Sequence, residues 1–213
     1  MIQAKICGIN SPAAAVAAAA GGAAFIGLVF YPPSPRALSA EAAAELARLV
    51  PERIGRVGLF VDPEDAELEA VLSRVPLTML QLHGRESPER LAQIKCRFAL
   101  PVMKAIGVSR PADLENAAPY LETTDWLLFD AKPPSEPGAL PGGNARPFDW
   151  RILAGRSWPI PWMLSGGLTA VRLAEAVRIT GARVVDVSSG VEERPGVKNP
   201  DLIRAFLEAA ARL

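Results

Sequence analysis

The feature that most constrains the fold is an alternation of short apolar runs with helix-forming stretches along the whole chain. Eight runs are predicted to be strands, at residues 2–7, 25–30, 57–61, 78–83, 102–105, 126–130, 162–164 and 184–188. In 213 residues this leaves about 27 residues per unit, enough for one strand and one helix. Strict alternation forms a parallel sheet covered by helices, and eight units favour an α/β fold of the (β/α)8 TIM barrel type. With no visible linker, we expect residues 1–213 to form a single domain.

Helix starts recur in one form, in which a capping side chain precedes a proline at the first helical position. The pairs are Ser11-Pro12, Asp62-Pro63, Ser87-Pro88 and Asn199-Pro200. The first of them opens an uncharged apolar run at residues 13–30, close to the minimum length of a membrane span. Gly21 and Gly22 divide this run, so we predict a helix followed by a buried strand and no membrane segment or signal peptide.

Charge and cysteine content exclude several classes of function. The formal net charge is zero and the basic residues are scattered, which argues against nucleic acid or an anionic membrane as partner. Cys7 and Cys96 lie far apart without CxxC spacing or partner histidines. A disulfide framework and a zinc site are therefore not expected, and a reducing cytoplasm fits the chain.

Barrel geometry locates the candidate site at the C-terminal ends of the strands. Polar residues collect there, namely Cys7, Tyr31, Asp62, His83, Lys104, Asp130, Ser165-Gly166-Gly167 and Ser188-Ser189-Gly190. Polar groups at the ends of apolar strands cost stability unless they are paired, so their collection at one rim is informative. The long stretch at residues 131–147, rich in Pro and Gly, follows one of these strands and is predicted to be a functional lid.

Cys7 and Asp130 are predicted to be a general base and a general acid. Each ends a strand, so a thiol and a carboxylate can face each other across one pocket. Cys7 could instead be a small buried hydrophobic residue, and Asp130 could cap or salt-bridge a loop. The position of Cys7 beside Lys5 and before Gly8, and the apolar residues before Asp130, favour the catalytic interpretation.

Strand periodicity predicts which side chains point into the barrel. Gln3, Lys5 and Cys7 share one face of the first strand, and the same parity turns Gln81 and His83 inward. We expect Lys104, Asp130 and Asp186 to join them. Two lysines against two aspartates would form a neutral hydrogen-bonded set, and a structural network is as good an interpretation of the lysines as chemistry.

Small-residue loops follow the last two strands. Gly166 and Gly167 lie in the first loop, and Ser188, Ser189 and Gly190 form the second. Each alone could be a tight turn, but two on adjacent final strands predict a phosphate site made by glycine N–H groups.

Two further residues are candidates for binding a substrate. Arg36 follows Tyr31-Pro32-Pro33-Ser34-Pro35, and an arginine on so stiff a loop can hold a carboxylate through two hydrogen bonds. His83, the single histidine, either binds substrate or satisfies the polar rim.

Several segments together resemble the phosphoribosylanthranilate isomerases, (β/α)8 enzymes of tryptophan biosynthesis. The first matching stretches are Lys5-Ile6-Cys7-Gly8-Ile9, Ser34-Pro35-Arg36, Gly58-Leu59-Phe60-Val61, Gln81-Leu82-His83-Gly84 and Phe129-Asp130-Ala131. The later ones are Phe148-Asp149-Trp150, Leu164-Ser165-Gly166-Gly167-Leu168, the run at residues 185–192 and Pro195-Gly196-Val197-Lys198. They occur in the expected order over essentially the whole chain, so the resemblance is more specific than a shared fold.

The resemblance implies an Amadori rearrangement of N-(5-phosphoribosyl)anthranilate to 1-(o-carboxyphenylamino)-1-deoxyribulose 5-phosphate. It implies that Asp130 protonates the ring oxygen and that Cys7 removes the C2′ proton. Arg36 would hold the anthranilate carboxylate, and Gly166, Gly167 and the 188–190 loop would hold the phosphate, with His83 and Asp186 also in the substrate site. No metal or organic cofactor is implied, and the protein is expected to be a monomer or homodimer.

Three other functions stay open. A related sugar-phosphate isomerase would resemble this chain in its phosphate loops but would have aspartate in place of Cys7. An aldolase-type barrel would use an inward lysine as Schiff base, for which Lys104 is a formal candidate. A non-catalytic barrel could bind a phosphorylated ligand only, although the presence of both Cys7 and Asp130 argues against it.

Overall fold

A closed barrel of eight parallel strands forms the centre of the protein. The structure is a computed structural model that describes residues 1–133, 142–143 and 147–213. The strands are β1 (Gln3–Cys7), β2 (Phe25–Val29), β3 (Gly55–Phe60), β4 (Met79–Leu82), β5 (Val102–Val108), β6 (Trp126–Ala131), β7 (Trp162–Leu164) and β8 (Val184–Val187). Neighbours pair in chain order, and β8 returns to pair with β1. The predicted (β/α)8 barrel and all eight predicted strands are confirmed, with small shifts at the strand ends.

Six α-helices cover the barrel among the described residues. They are α1 (Pro12–Ala20), α2 (Ala40–Arg48), α3 (Asp65–Leu72), α4 (Pro88–Phe98), α5 (Leu173–Thr180) and α6 (Pro200–Ala211). After β5 and β6 the chain forms 3₁₀ helices instead, at Pro111–Tyr120 and Trp150–Leu153. The first contains Pro119, which has no N–H group to continue a hydrogen-bonded helix.

Three of the four predicted helix starts are confirmed. The side chains of Ser11, Ser87 and Asn199 accept hydrogen bonds from backbone N–H groups in the first turns of α1, α4 and α6. The Asp62-Pro63 prediction is wrong, because α3 begins at Asp65 and is capped by Glu64. Asp62 has a left-handed backbone (φ 48°), and its carboxylate accepts from Arg85 N–H at 2.6 Å instead of capping a helix.

The apolar run near the N-terminus folds as predicted, into α1 and then β2. Gly22 separates them with a backbone φ of 78°, a left-handed conformation that glycine adopts without strain. In the described part of the chain, no helix combines the length and the apolar character needed to cross a membrane.

The barrel interior has its own apolar cluster, separate from the larger core between strands and helices. Its members are Val57, Met79, Met103, Ala105, Leu128, Met163 and Val184. Because Met103 and Ala105 point inward, Lys104 between them points out to the helix layer. There its Nζ donates to Glu86 Oε2 at 2.5 Å and to the Gly84 carbonyl at 2.8 Å. The prediction that Lys104 points inward is therefore wrong.

A small hairpin that sequence reasoning did not predict follows β8. Its strands are β9 (Glu192–Arg194) and β10 (Val197–Lys198), which pair antiparallel at the C-terminal mouth of the barrel. The predicted lid at residues 131–147 lies mostly outside the described residues.

Candidate active site

One pocket opens at the C-terminal ends of the strands. Asp62 and Lys104, which are predicted at this rim, do not line it, whereas all the residues predicted for catalysis and substrate binding do. These residues are Cys7, Arg36, His83, Asp130, Gly166, Gly167, Asp186, Ser188, Ser189 and Gly190. The same pocket is also lined by Tyr31, Gln81, Gly142, Gly143 and Ser165. The structure thus places the two candidate proton-transfer groups, the candidate arginine clamp and both small-residue loops around a single cavity.

Cys7 ends β1 with its thiol almost fully buried, at 4% exposure. Burial raises the pKa of this thiol, Lys5 opposes that effect, Asp186 adds to it, and Lys198 opposes it again. Room for the sulfur comes from Gly27 on β2, where a Cβ would lie 2.8 Å from Sγ. Sequence reasoning missed Gly27, although a glycine within a strand is a signal of close approach.

Lys5 and Asp186 form a buried ion pair beneath the pocket. Lys5 Nζ donates to Asp186 Oδ1 at 2.8 Å and to Gln81 Oε1 at 2.7 Å, and Ser165 Oγ donates to Asp186 Oδ2 at 3.1 Å. Burial acts to lower the pKa of Lys5, but Asp186 and then Cys7 act against it and leave that pKa raised. The expected neutral set therefore holds for Lys5 and Asp186, whereas Lys104 pairs with Glu86 outside the barrel.

Two groups lie close to the carboxylate oxygens of Asp130, near the end of β6. Its Oδ1 accepts from the Ala131 N–H at 2.8 Å, and His83 Nε2 lies 3.5 Å from its Oδ2. His83 Nδ1 in turn lies 3.0 Å from Gln81 Nε2. Gly142 packs over Asp130 and His83, since a Cβ on Gly142 would lie 2.7 Å from Asp130 Oδ2.

Arg36 already holds a carboxylate of the protein itself. Its Nε and Nη2 donate to the two carboxylate oxygens of Glu192 at 2.7 and 2.8 Å, and Nη2 lies 3.3 Å from the Gly143 carbonyl. Glu192 thus occupies the edge of the guanidinium that is formed by Nε and Nη2. A ligand carboxylate therefore has to approach the outer end of the guanidinium, at Nη1. Sequence reasoning missed Glu192, because its contact with Arg36 joins residues 156 apart in the chain.

Lys198 of β10 completes this cluster. Its fully buried Nζ donates to Glu192 Oε1 at 2.6 Å and to the Ser188 carbonyl at 3.0 Å. Burial acts to raise the pKa of Glu192, but Arg36 and Lys198 outweigh it and lower that pKa. Burial lowers the pKa of Lys198 itself. The hairpin therefore brings a cation beside the loop that leads away from β8.

The two small-residue loops pack against each other and need their glycines. Gly166 and Gly167 have left-handed φ values of 88° and 68°. A Cβ on Gly190 would lie 1.9 Å from the Leu168 carbonyl oxygen, so no larger residue fits there. Ser189 begins a 3₁₀ turn (Ser189–Val191) that is separated from β8 by Ser188 alone. The arrangement exposes backbone to the pocket, as a phosphate site requires.

Comparison with known proteins connects this site to one family. The family model described as N-(5'phosphoribosyl)anthranilate (PRA) isomerase matches residues 4–209. The chain is 59% identical over 212 residues to the N-(5'-phosphoribosyl)anthranilate isomerase of Rhodospirillum centenum, covering 100% of this chain and 99% of that one. It is 57% identical over 209 residues to the enzyme of the same name from Paramagnetospirillum magneticum, covering 98% and 97%.

Solved structures give the same result. The chain is similar to phosphoribosyl anthranilate isomerase from Thermotoga maritima, with a TM-score of 0.87, 37% identity and full coverage of both chains. It is also similar to a phosphoribosyl anthranilate isomerase in complex with reduced 1-(o-carboxyphenylamino)-1-deoxyribulose 5-phosphate, with a TM-score of 0.84, 35% identity and full coverage of both chains.

Proposed function

This chain belongs to the N-(5'-phosphoribosyl)anthranilate isomerase family, and we propose that Cys7 and Asp130 carry out the proton transfers of its reaction. That reaction is the Amadori rearrangement of N-(5'-phosphoribosyl)anthranilate to 1-(o-carboxyphenylamino)-1-deoxyribulose 5-phosphate, in tryptophan biosynthesis. The observation that best supports the two roles is that a buried thiol and a buried carboxyl group line one pocket, between the small-residue loops and Arg36.

Asp130 acts first, as the general acid. It gives a proton to the furanose ring oxygen while the C1′–O bond breaks, and the anthranilate nitrogen supplies the electron pair that forms the C1′=N Schiff base. Ala131 N–H donates to one oxygen of this carboxyl group, and His83 Nε2 lies 3.5 Å from the other. A positioned acid of this kind contributes about a hundredfold or more to the rate.

Cys7 acts second, as the general base. Its thiolate takes the proton from C2′, the electrons of that C–H bond move into the Schiff base, and the resulting enolamine tautomerises to the ketone. Burial raises the pKa of the thiol, so the thiolate depends on the cations Lys5 and Lys198 that oppose this effect.

The remaining side chains bind the two ends of the substrate. Gly166, Gly167, Ser188, Ser189 and Gly190 bind the phosphate through the exposed backbone of their loops. Arg36 binds the anthranilate carboxylate at the outer end of its guanidinium, because Glu192 occupies the edge formed by Nε and Nη2.

His83 and Asp186 complete the proposed substrate-binding set. His83 lies beside Asp130 and Asp186 lies beside Lys5, so each contacts a group next to the reacting atoms. The position of Lys104 outside the barrel interior argues against it as the Schiff-base lysine of an aldolase-type mechanism.

A kinetic comparison of variants tests the two catalytic roles. Turnover is measured as the loss of phosphoribosylanthranilate fluorescence. We expect the unmodified protein to turn the substrate over, and we expect the rate to fall by about a hundredfold or more in Cys7→Ala and in Asp130→Asn. Cys96→Ala and Asp201→Asn are matched controls at exposed positions and should keep full turnover. Turnover that survives either active-site substitution removes that residue from the mechanism. Binding without turnover in the unmodified protein would favour a barrel that only binds its ligand.

The proposal extends to the location and the oligomeric state of the protein. We propose a single-domain cytoplasmic enzyme, acting on a small phosphorylated molecule as a monomer or homodimer. One similar Thermotoga maritima structure is of monomers generated from a dimeric enzyme. Size-exclusion chromatography with light scattering distinguishes the two oligomeric states here.

A further inference from the structure

A continuous row of polar side chains runs beneath the pocket from Asp186 to Asp130. Asp186 Oδ1 lies 2.8 Å from Lys5 Nζ, which lies 2.7 Å from Gln81 Oε1. Gln81 Nε2 lies 3.0 Å from His83 Nδ1, and His83 Nε2 lies 3.5 Å from Asp130 Oδ2. Each of these side chains is buried or nearly so.

The chemistry of the donors fixes the direction of every contact in this row. A lysine ammonium can only donate, so the oxygen of the Gln81 amide has to face Lys5 and its NH₂ group has to face His83. That NH₂ group also only donates, so His83 Nδ1 has to be the unprotonated nitrogen. A neutral imidazole carries one proton, which is therefore on Nε2 and points at Asp130.

We propose that Lys5 and Gln81 are positioning residues that fix this tautomer of His83, so that His83 holds the carboxyl group of Asp130. With Ala131 N–H on Oδ1 and His83 Nε2–H on Oδ2, the carboxyl plane is set from both sides. A second lone-pair site on each oxygen remains for the proton that goes to the substrate.

The same row places the NH₂ group of Gln81 against His83 Nδ1. A proton on Nδ1 would face that donor, so the transferred proton is assigned to Asp130 and not to this nitrogen of the histidine. The 3.5 Å contact between His83 and Asp130 is long, as catalytic hydrogen bonds often are before substrate binds. This inference rests on the proposed role of Asp130 as the acid.

Nitrogen NMR of the ¹⁵N-labelled protein tests the tautomer directly, because His83 is the only histidine. We expect the Nδ1 signal of an unprotonated ring nitrogen and the Nε2 signal of a protonated one. A protonated Nδ1 in the unmodified protein overturns the proposal. This measurement needs no variant, so it decides the tautomer even where a substitution prevents folding.

Gln81→Glu tests the positioning role. Glutamate still accepts from Lys5, but it offers an oxygen to Nδ1, so the proton should move to that nitrogen. We expect kcat to fall by about tenfold or more with a smaller change in KM, because the lost contact is to the acid. Gln93→Glu, the same substitution at an exposed position of α4, should change neither the spectrum nor kcat. An unchanged kcat in Gln81→Glu overturns the positioning role.

The two proposals fail separately. If Asp130→Asn keeps turnover while His83 shows the expected tautomer, the acid assignment is wrong and the hydrogen-bonded row stands. If Asp130→Asn is inactive and Nδ1 is protonated, the acid assignment stands and the row is wrong.

Discussion

At the scale of single residues, the surroundings of Cys7 oppose the chemistry proposed for it. Burial raises the pKa of its thiol, whereas proton abstraction needs the thiolate. Lys5 and Lys198 are the cations that act in the opposite direction. A Cβ on Gly8, the residue after Cys7, would lie 3.3 Å from Lys198 Nζ, which shows how near this ammonium comes to the end of β1. The unpredicted hairpin β9–β10 thus places a second cation near the thiol of Cys7, the proposed base.

Lys198→Met should shift the reactivity of Cys7 to higher pH. Removing a cation destabilises the thiolate, so the thiol pKa rises and alkylation by iodoacetamide needs more alkaline solution. Turnover at neutral pH should fall on the order of tenfold. The pH profile is measured in a Cys96→Ser background, because Cys96 is exposed and would also react. Lys95→Met, on the surface of α4, is the control. If the pH profile of Cys7 alkylation in Lys198→Met is the same as in the parent protein, Lys198 does not support the thiolate.

The residues of the site differ in how far the sequence predicts them. Cys7 and Asp130 are predictable because each ends an apolar strand, and parallel strands bring their C-terminal ends to one rim. Glu192 is not, because nothing local in a charged stretch after the last strand indicates that it binds Arg36. Lys104 shows a different limit. Parallel strands are apolar on both faces, so the sequence of β5 contains no alternation from which the direction of one lysine follows.

At the scale of elements, the 3₁₀ helix at Pro111–Tyr120 depends on a single carboxylate. Asp113 Oδ2 accepts from the N–H and hydroxyl of Ser109 and from the N–H of Arg110, and its Oδ1 lies 3.3 Å from Lys132 Nζ. Burial acts to raise the pKa of Asp113, but these hydrogen bonds lower it to about 2. Because Lys132 lies just after β6, Asp113 also ties this helix to the start of the segment that follows Asp130.

Asp113→Asn should destabilise the protein in a pH-dependent way. The pKa falls on folding from 3.8 to about 2, so the ionised group contributes roughly 2 kcal/mol. This contribution is fully present at pH values above the pKa of Asp113 in the unfolded chain. It is lost as the pH falls through the pKa of Asp113 in the folded protein. The difference in free energy of unfolding between the two proteins should therefore be largest at pH 7 and smaller at pH 3, as measured with urea. Glu115→Gln, exposed on the same helix, is the control. A difference independent of pH would assign the effect to packing.

Helix starts show why local signals predict elements unevenly. Ser11, Ser87 and Asn199 each cap the helix that their proline begins, as the pattern predicts. Asp62-Pro63 has the same pattern, but the Asp62 carboxylate accepts from Arg85 N–H in the loop after β4. The competing contact comes from another unit of the barrel, which no local reading of the sequence contains.

At the scale of the whole molecule, the barrel closes where its first and last strands meet. In the pairing of β1 with β8, Lys5 lies opposite Asp186, and the ion pair between them joins residues 181 positions apart. The pair lies inside the barrel at the floor of the pocket, where Lys5 is fully buried and the Asp186 side chain is 5% exposed. The contact that links the first and last strands of the barrel is thus also part of the polar floor of the candidate active site.

A double-mutant cycle on this pair tests how strongly the closure depends on it. Lys5→Met or Asp186→Leu alone leaves one buried charge without its partner and should cost roughly 3–5 kcal/mol in free energy of unfolding. The double variant removes both charges, so its loss should be well below the sum of the two single losses. The exposed pair Arg212 and Glu208 provides the control cycle, with an expected coupling of about 0.5 kcal/mol or less. Urea unfolding gives all these free energies. If the losses at Lys5 and Asp186 are additive, apolar packing and backbone hydrogen bonds hold β1 and β8 together without help from the ion pair.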